Sequence, residues 1–588
     1  MSIPRSEHPF PQMMRGNWMN LNGEWEFEID NSLSGKDKKF FLRDSLDSKI
    51  TVPFCPESEL SGIGNKDFMY CVWYRKEFTL PENFLGHRII LHFGAVDYIS
   101  TVYINGIEVC THKGGYTSFS TDITNYLKDG KNVICLCVED NKNKYNQPSG
   151  KQSEKFESHG CFYTRSTGIW QTVWIEAVGS AYIANFHTFS DMENGVAMFK
   201  ISLGGKGFIG KTLKAKASFE SRSMGYSSTK IYGDNVYVSV PLDEIHLWDI
   251  GKGNLYDIVF SIWDGDKAID SVLCYFGMRT FSFGVNGFEI NGRTIFGRWV
   301  LDQGYYPDGI YTAPTDEALK DDILKSIELG FNGARLHEKV FEPRFLYWAD
   351  KLGYPVWGEF PNWGFDISEF ESIDSILPQW AEVIDRDFSH PSIIGWCPLN
   401  ETDYPGYQKI QNPKVVKYLY EYTKKADPTR PVIDTSGFFH EVDCEVYDVH
   451  DYEQDYKLIE EYYSKLDRGI IQDITVRLPK WSGRQSYKGQ PVFVSEYGGI
   501  LWDMDNLPQG EESSWGYGDA PKSEDEFLDR FKNLTETFMN NPKICAICYT
   551  QLYDVEQERN GLMTYDRKHK FNPEVIRRIN SQKAKIEK

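Results

Sequence analysis

The chain has 588 residues, with 64 Lys and Arg against 85 Asp and Glu and a formal net charge of −21, so at roughly 150 residues per domain it has room for about three or four domains. An acidic chain without a sustained basic stretch is excluded as a general nucleic-acid binder, because neutralising phosphates needs clustered Lys and Arg. Aromatic residues reach 15%, with 16 Trp, 35 Tyr and 37 Phe, an excess suited to stacking on flat apolar faces.

The opening text, MSIPRSEHPFPQMMRG, lacks the apolar core of a secretory signal. No stretch approaches the roughly 18 apolar residues of a membrane span. The chain as given therefore reads as soluble, with no membrane partner and an acidic surface that fits cytoplasm and periplasm alike. From about 15 to 180, short alternating segments such as GEWEFEID, VWYRKEFTL, RIILHFGAV, STVYINGIEV and NVICLCVED are separated by turn residues, the pattern of an all-β sandwich. From 181 to 283 the alternation continues in VAMFKISL, LKAKASFES, NVYVSVPL and YDIVFSIWD, a span the size of an immunoglobulin-like β-sandwich.

After GVNGFEINGRTIF the period changes, and from 284 to 588 apolar strand runs alternate with helical stretches. GRWVLDQG precedes DEALKDDILKSIELG, GARLHE precedes EPRFLYWADKLG, PVWGEF precedes SILPQWAEVIDRDF, and IIGWCPLNE precedes PKVVKYLYEYTKKAD; PVIDTSG, EVYDVHDY, PVFVSEYGG and ICAICYTQL follow. Eight strand candidates in this region predict a (β/α)8 TIM barrel behind two β domains.

Two motifs are set aside on context. GKGFIGKT, residues 205–212, satisfies the P-loop pattern, but Leu213, Ala215, Ala217 and Phe219 then alternate as a strand rather than opening a helix, so the segment reads as a Gly-rich hairpin turn. Cys545 and Cys548 form a C-x-x-C inside a strand-like run without a second pair, and the 11 Cys overall read as reduced thiols. No cofactor or metal follows from the sequence.

In a barrel of this type chemistry sits at the C-terminal ends of the strands. Four acids end strand candidates there: Glu359, Glu401, Asp451 and Glu496. Asn400 precedes Glu401 and Tyr497 follows Glu496. Two carboxylates on strands 4 and 7 would face each other across the mouth, an arrangement suited to glycosidic bond cleavage.

With LNGEWEFEID, VPFCPES, GIWQTVWIE, NGFEINGRTIFGR, HPSIIGWCPLNE and PVFVSEYGG, the sequence resembles glycoside hydrolase family 2 over nearly its whole length. The resemblance implies a jelly-roll sugar-binding domain (1–180), an immunoglobulin-like domain (181–283) and a catalytic barrel (284–588). It further implies Glu401 as acid/base, Glu496 as nucleophile, and His337 and Tyr452 as sugar-side neighbours. Arg165, Asp302 and Gln303 are matched as candidate binders at the mouth. The family's glucuronidases carry an Asn-x-Lys after strand 8, where this chain has Glu558, Arg559 and Asn560 in DVEQERNGLM. Thr550, Gln551 and Asp554 are therefore expected to shape the sugar pocket. Glu359 is placed to mimic the acid of magnesium-binding galactosidases. Trp299, Trp363, Trp502 and Trp515 are candidate stacking platforms.

The expected activity is retaining, exo-acting hydrolysis of a terminal β-linked sugar. A galactoside comes first because residues 554–560 carry three acids against one Arg, a field that disfavours a sugar carboxylate. A glucuronide, an α-L-arabinopyranoside or a mannoside are the alternatives. A catalytically silent carbohydrate-binding protein is the reading of another class, and the sequence is compatible with a homo-oligomer.

Overall fold

The structure is a computed structural model that describes residues 3–141, 146–285, 287–402, 411–437, 439–468, 487–504 and 514–587. No helix in it is long and apolar enough to cross a membrane.

The N-terminal sandwich packs a six-stranded antiparallel sheet against a four-stranded one. Its core is built from the inward residues of the alternating strands, among them Trp25, Phe27, Val72, Tyr74, Leu91, Phe93, Leu136 and Val138, as period-two patterning requires. The second sandwich has a five-stranded and a three-stranded sheet around Phe186, Phe199, Phe260 and Phe276. Its five-stranded sheet recruits Met13 and Met14, which pair with Cys274 and Leu273, so the first strand of the chain serves the second sandwich. Arg15 fixes this crossing by bonding both Glu176 and Asp270. The Gly-rich segment 205–212 contains no helix, but it is not a hairpin between paired strands either. It carries the chain from the strand Val196–Gly205 in one sheet to Thr212–Phe219 in the other. Gly207 and Gly210 take positive φ there, a backbone state that glycine adopts without steric cost.

The C-terminal unit is a curled parallel sheet. Its strands, in chain order, are Gly297–Asp302, Gly333–Leu336, Val356–Glu359, Ile393–Cys397, Tyr447–Asp451, Val492–Gly498 and Ile544–Thr550. The eighth candidate, around PVIDTSG, joins by two isolated parallel bridges, Trp396 to Val432 and Asn400 to Ser436, rather than by a continuous ladder. Local bonding accounts for the difference. Asp434 accepts from the amides of Thr435, Glu441 and Val442 and from His440, so this stretch folds onto its own following turn. Thr315 caps the helix Asp316–Glu328 by accepting from the Ala318 amide, and the helices at 343, 413 and 573 each begin with Pro, whose fixed φ suits the first turn. At the base of the barrel the hairpin residue Phe288 lies against Trp299, which packs on Trp357 and Phe493. Cys545 and Cys548 are buried free thiols on the last strand.

The first sandwich also meets the barrel mouth. The Ser149 and Gly150 amides donate to the Trp363 carbonyl at 2.7 and 3.1 Å. Thr312 donates to the Trp170 carbonyl at 2.6 Å.

Candidate active site

The upper ends of the parallel strands bring together residues that lie 161 positions apart in the chain. Arg335, on the second barrel strand, is 1% exposed and is the hub. Its Nε donates to Glu359 at 2.7 Å, one terminal nitrogen to Glu496 at 2.6 Å, and the other to Asn400 Oδ1 at 2.6 Å. A buried guanidinium with three satisfied partners fixes their relative positions, because its planar fork leaves little freedom.

Glu496 accepts from Arg335 on one oxygen and from the Tyr452 hydroxyl on the other. Burial alone would raise its carboxyl, but His450, Arg335 and His337 together with the Tyr452 hydrogen bond outweigh that and hold it down at about 2. Glu401 has φ 42°, and its amide donates to the Ser436 carbonyl at 2.9 Å, so the loop following the fourth barrel strand is turned sharply to aim this side chain at Glu496. Between the two carboxylates stands His450, with Nδ1 2.7 Å from Glu401 and 3.4 Å from Glu496. Burial opposes its charged form, but Glu496 and Glu401 outweigh burial and raise the imidazole above its ordinary value. One oxygen of Glu401 and one of Glu496 lie within 4.8 Å of each other.

The expected residues divide. Glu401, Glu496, Asn400, Tyr452 and His337 converge. His337 Nδ1 lies 3.0 Å from Glu359, and burial followed by the charge of Lys151 keeps its imidazole well below the usual value. Trp363 lines the same mouth, its indole donating to the Asn400 carbonyl at 3.1 Å. Gln303 and Gln551 are bonded to each other at 2.9 Å, and through them Tyr163 and Asn560 are tied in. Three buried polar atoms in this region, Asn400 Nδ2, Glu338 Oε1 and Gln303 Oε1, have no hydrogen-bond partner among the described residues. Unsatisfied buried polar atoms are rare and costly, so such a set suits a ligand rich in hydroxyls.

Other residues are occupied elsewhere. Asp302 accepts from Tyr553 and from the Gly304 amide, and burial with Asp322 nearby raises it to about 6. Asp554 is paired with Lys570 at 2.6 Å, away from the expected pocket role, and burial raises it to about 6. Arg165 spends its guanidinium on the carbonyls of Lys66, Lys155 and Phe156 and lies 4.1 Å above the Phe68 ring; it does not bond to the carboxylate pair. Glu359 is tied to Arg335 and to the Glu338 amide, so its oxygens brace the scaffold beneath the site. Asp451 accepts from the Glu453 amide. Trp299 is barrel core, and Trp502 packs against the stacked Phe527 and Phe571 rings; neither is a stacking platform. Trp515 packs edge-on to Tyr517, which stacks on Tyr452.

Arg335, His450 and Lys151 escaped the sequence reading. The first two sit two residues before His337 and Tyr452, and on a strand residues i and i+2 share a face. That spacing was the available signal. Lys151 comes from a loop of another domain and carries no such signal.

Family models for glycosyl hydrolases family 2 match in chain order: the sugar-binding domain over residues 64–174, the family's central domain over 172–279 and the TIM-barrel domain over 315–572. A beta-galactosidase of Thermoanaerobacter pseudethanolicus is 29% identical over 377 residues, 62% of this chain but only 48% of that relative. A beta-glucuronidase of Rattus norvegicus is 24% identical over 517 residues, 81% of this chain and 77% of the relative. Among solved structures, a beta-glucuronidase from Ruminococcus gnavus in complex with D-glucuronic acid superposes with a TM-score of 0.78 at 19% identity, covering 99% of this chain and 100% of the other. With three successive family models matching and two glutamates brought together around His450 at the barrel mouth, the chain belongs to glycoside hydrolase family 2.

Proposed function

We propose that the protein is a retaining, exo-acting glycosidase that cleaves a terminal β-linked sugar. The observation that carries the reading is the proximity of the two carboxylates, with oxygens within 4.8 Å of each other and His450 between them. Inverting enzymes hold their carboxyl groups about 6.5 to 9.5 Å apart to admit a water, whereas retaining ones hold them about 5 to 5.5 Å apart for direct attack. In this reading Glu401 gives its proton to the leaving oxygen while Glu496, kept ionised by Arg335 and Tyr452, attacks the anomeric carbon from the other face. The C–O bond to the leaving group breaks as the ester bond to Glu496 forms. Ionised Glu401 then takes a proton from water, whose oxygen displaces Glu496, and the sugar leaves with its original configuration.

Glu496→Ala is expected to abolish turnover and to be partly rescued by azide, giving the inverted glycosyl azide. Glu401→Ala still forms the glycosyl-enzyme from substrates with good leaving groups. A Glu496→Ala variant with undiminished turnover contradicts the assignment. Absence of turnover on every nitrophenyl glycoside by the intact protein favours instead the silent carbohydrate-binding reading.

For the sugar, β-galactoside and β-glucuronide remain the two glycones. The sequence preference for a neutral sugar rested on the acids of 554–560, and in the fold their charges are taken up locally. Asp554 pairs with Lys570, Glu556 accepts from the Thr164 amide, and Glu558 accepts from Tyr163 and Asn560. Burial also raises the Glu558 carboxyl.

A further inference from the structure

Three lysines are buried among the described residues: Lys151, Lys339 and Lys570. Lys339 donates to the carbonyls of Gly304 and Tyr311, and Lys570 donates to Asp554 and to the Trp502 carbonyl. Lys151, 6% exposed, is different. Its ammonium has neither a hydrogen bond nor an ion pair among the described residues and rests 4.1 Å from the centre of the Trp363 ring. A cation–π contact supplies only about 0.5 to 2 kcal/mol, well below the desolvation cost of a buried charge.

The position of Lys151 is fixed by its backbone. Its carbonyl accepts from the Tyr163 amide at 2.7 Å. Gly150, at φ 56°, passes so close to the barrel that a Cβ would lie 2.5 Å from the Glu338 carbonyl oxygen. The residue therefore reaches the barrel mouth from the first domain on a rigid loop. Its charge acts on His337, Glu338, Glu401, Glu496 and Glu558, the groups that surround the proposed sugar site, yet none of those carboxylates comes within ion-pair distance of it.

Resting on the glycosidase reading above, we propose that Lys151 is the specificity-determining cation of the site and binds the carboxylate of a uronic-acid glycone. A uronate brings its own negative charge beside Glu401 and Glu496, and such a charge needs a buried cation as partner. Each of the three guanidinium nitrogens of Arg335 already has a partner and Arg165 is bonded to first-domain carbonyls, whereas Lys151 has all three N–H groups to offer. The chain, which lacks the Asn-x-Lys text after the last strand, thus offers a lysine from the first domain instead.

The test compares kcat/KM on nitrophenyl β-D-glucuronide and β-D-galacturonide with that on the β-D-galactoside and β-D-glucoside, for the intact protein, Lys151→Met and Lys151→Arg. The intact protein is expected to prefer a uronide. Lys151→Met, which keeps an apolar stem over Trp363, should lower the uronide-to-neutral ratio at least about 100-fold, mainly through KM, because a site built for a charged partner discriminates strongly once that partner is unpaired. Lys151→Arg should restore part of the ratio. A parallel loss on both sugar classes, or an intact protein that prefers a neutral glycoside, overturns the proposal while leaving the glycosidase reading standing. No turnover on any of the four overturns both. A readout free of variants is competition by the free sugars: D-glucuronate must inhibit the intact protein at least about tenfold more strongly than D-glucose, and equal inhibition contradicts the role of Lys151.

Discussion

At the scale of single residues, Arg335 sets the geometry of the site, since one guanidinium holds Glu359, Glu496 and Asn400. Arg335→Met is expected to strand two buried carboxylates, costing about 3 to 5 kcal/mol; a lowered thermal midpoint together with a fall in kcat checks this, and a variant as stable and active as the parent contradicts it. His450 and Glu496 make opposite predictions with pH. His450 is raised above its ordinary value of 6.5, so the stability it contributes is full below pH 6.5 and fades as pH climbs through the folded value. Glu496 is lowered from 4.5 to about 2, so its contribution is present above pH 4.5 and is lost as pH falls towards 2. The gap in thermal midpoint between the intact protein and His450→Asn should accordingly narrow above pH 6.5, while the gap to Glu496→Gln should narrow below pH 4.5. The glutamates and the Asn400 amide were legible in the text because strand-end position is a local property. The partners that hold Glu496 were not, because which side chains meet across a barrel depends on its closure.

At the scale of elements, the barrel strands were legible as apolar runs, and the exception is instructive. PVIDTSG reads as a strand as well as its neighbours do, but Asp434 bonds to the turn that follows, and only two bridges to the fourth strand remain. Side-chain competition for backbone amides of this kind is invisible in an apolar pattern. The Gly-rich turn at 205–212 shows the same limit from the other side: its residues announce a turn but not which two sheets it joins. The barrel interior also carries a prediction. Gly395, on the strand Ile393–Cys397, faces Trp357 so closely that a Cβ would come within 2.4 Å of its ring. Gly395→Ala should cost about 1 to 3 kcal/mol by overpacking, seen as a lower thermal midpoint, and an unchanged midpoint would mean that Trp357 yields freely.

At the scale of the whole molecule, the site is shared between domains. The change from period-two alternation to alternating strands and helices separated the β part from the barrel in the sequence, but nothing in that pattern foretold that Lys151 and Tyr163 would complete the barrel mouth. Tyr163 donates to Glu558 and accepts from Gln303 at 2.6 Å, bonding the first domain to the loop after the last strand. Tyr163→Phe leaves Glu558 short of a donor and should cost about 1.5 to 3 kcal/mol. A reduced thermal midpoint accompanied by lower kcat/KM supports the shared site, and loss of neither places the first domain outside it. The central claim, that Glu496 attacks directly and Glu401 serves first as acid and then as base, is tested most directly by proton NMR of the first sugar released from the turned-over nitrophenyl β-glycoside, recorded before mutarotation. The β-anomer is the predicted product; release of the α-anomer would mean that water attacks in a single displacement and would contradict the account.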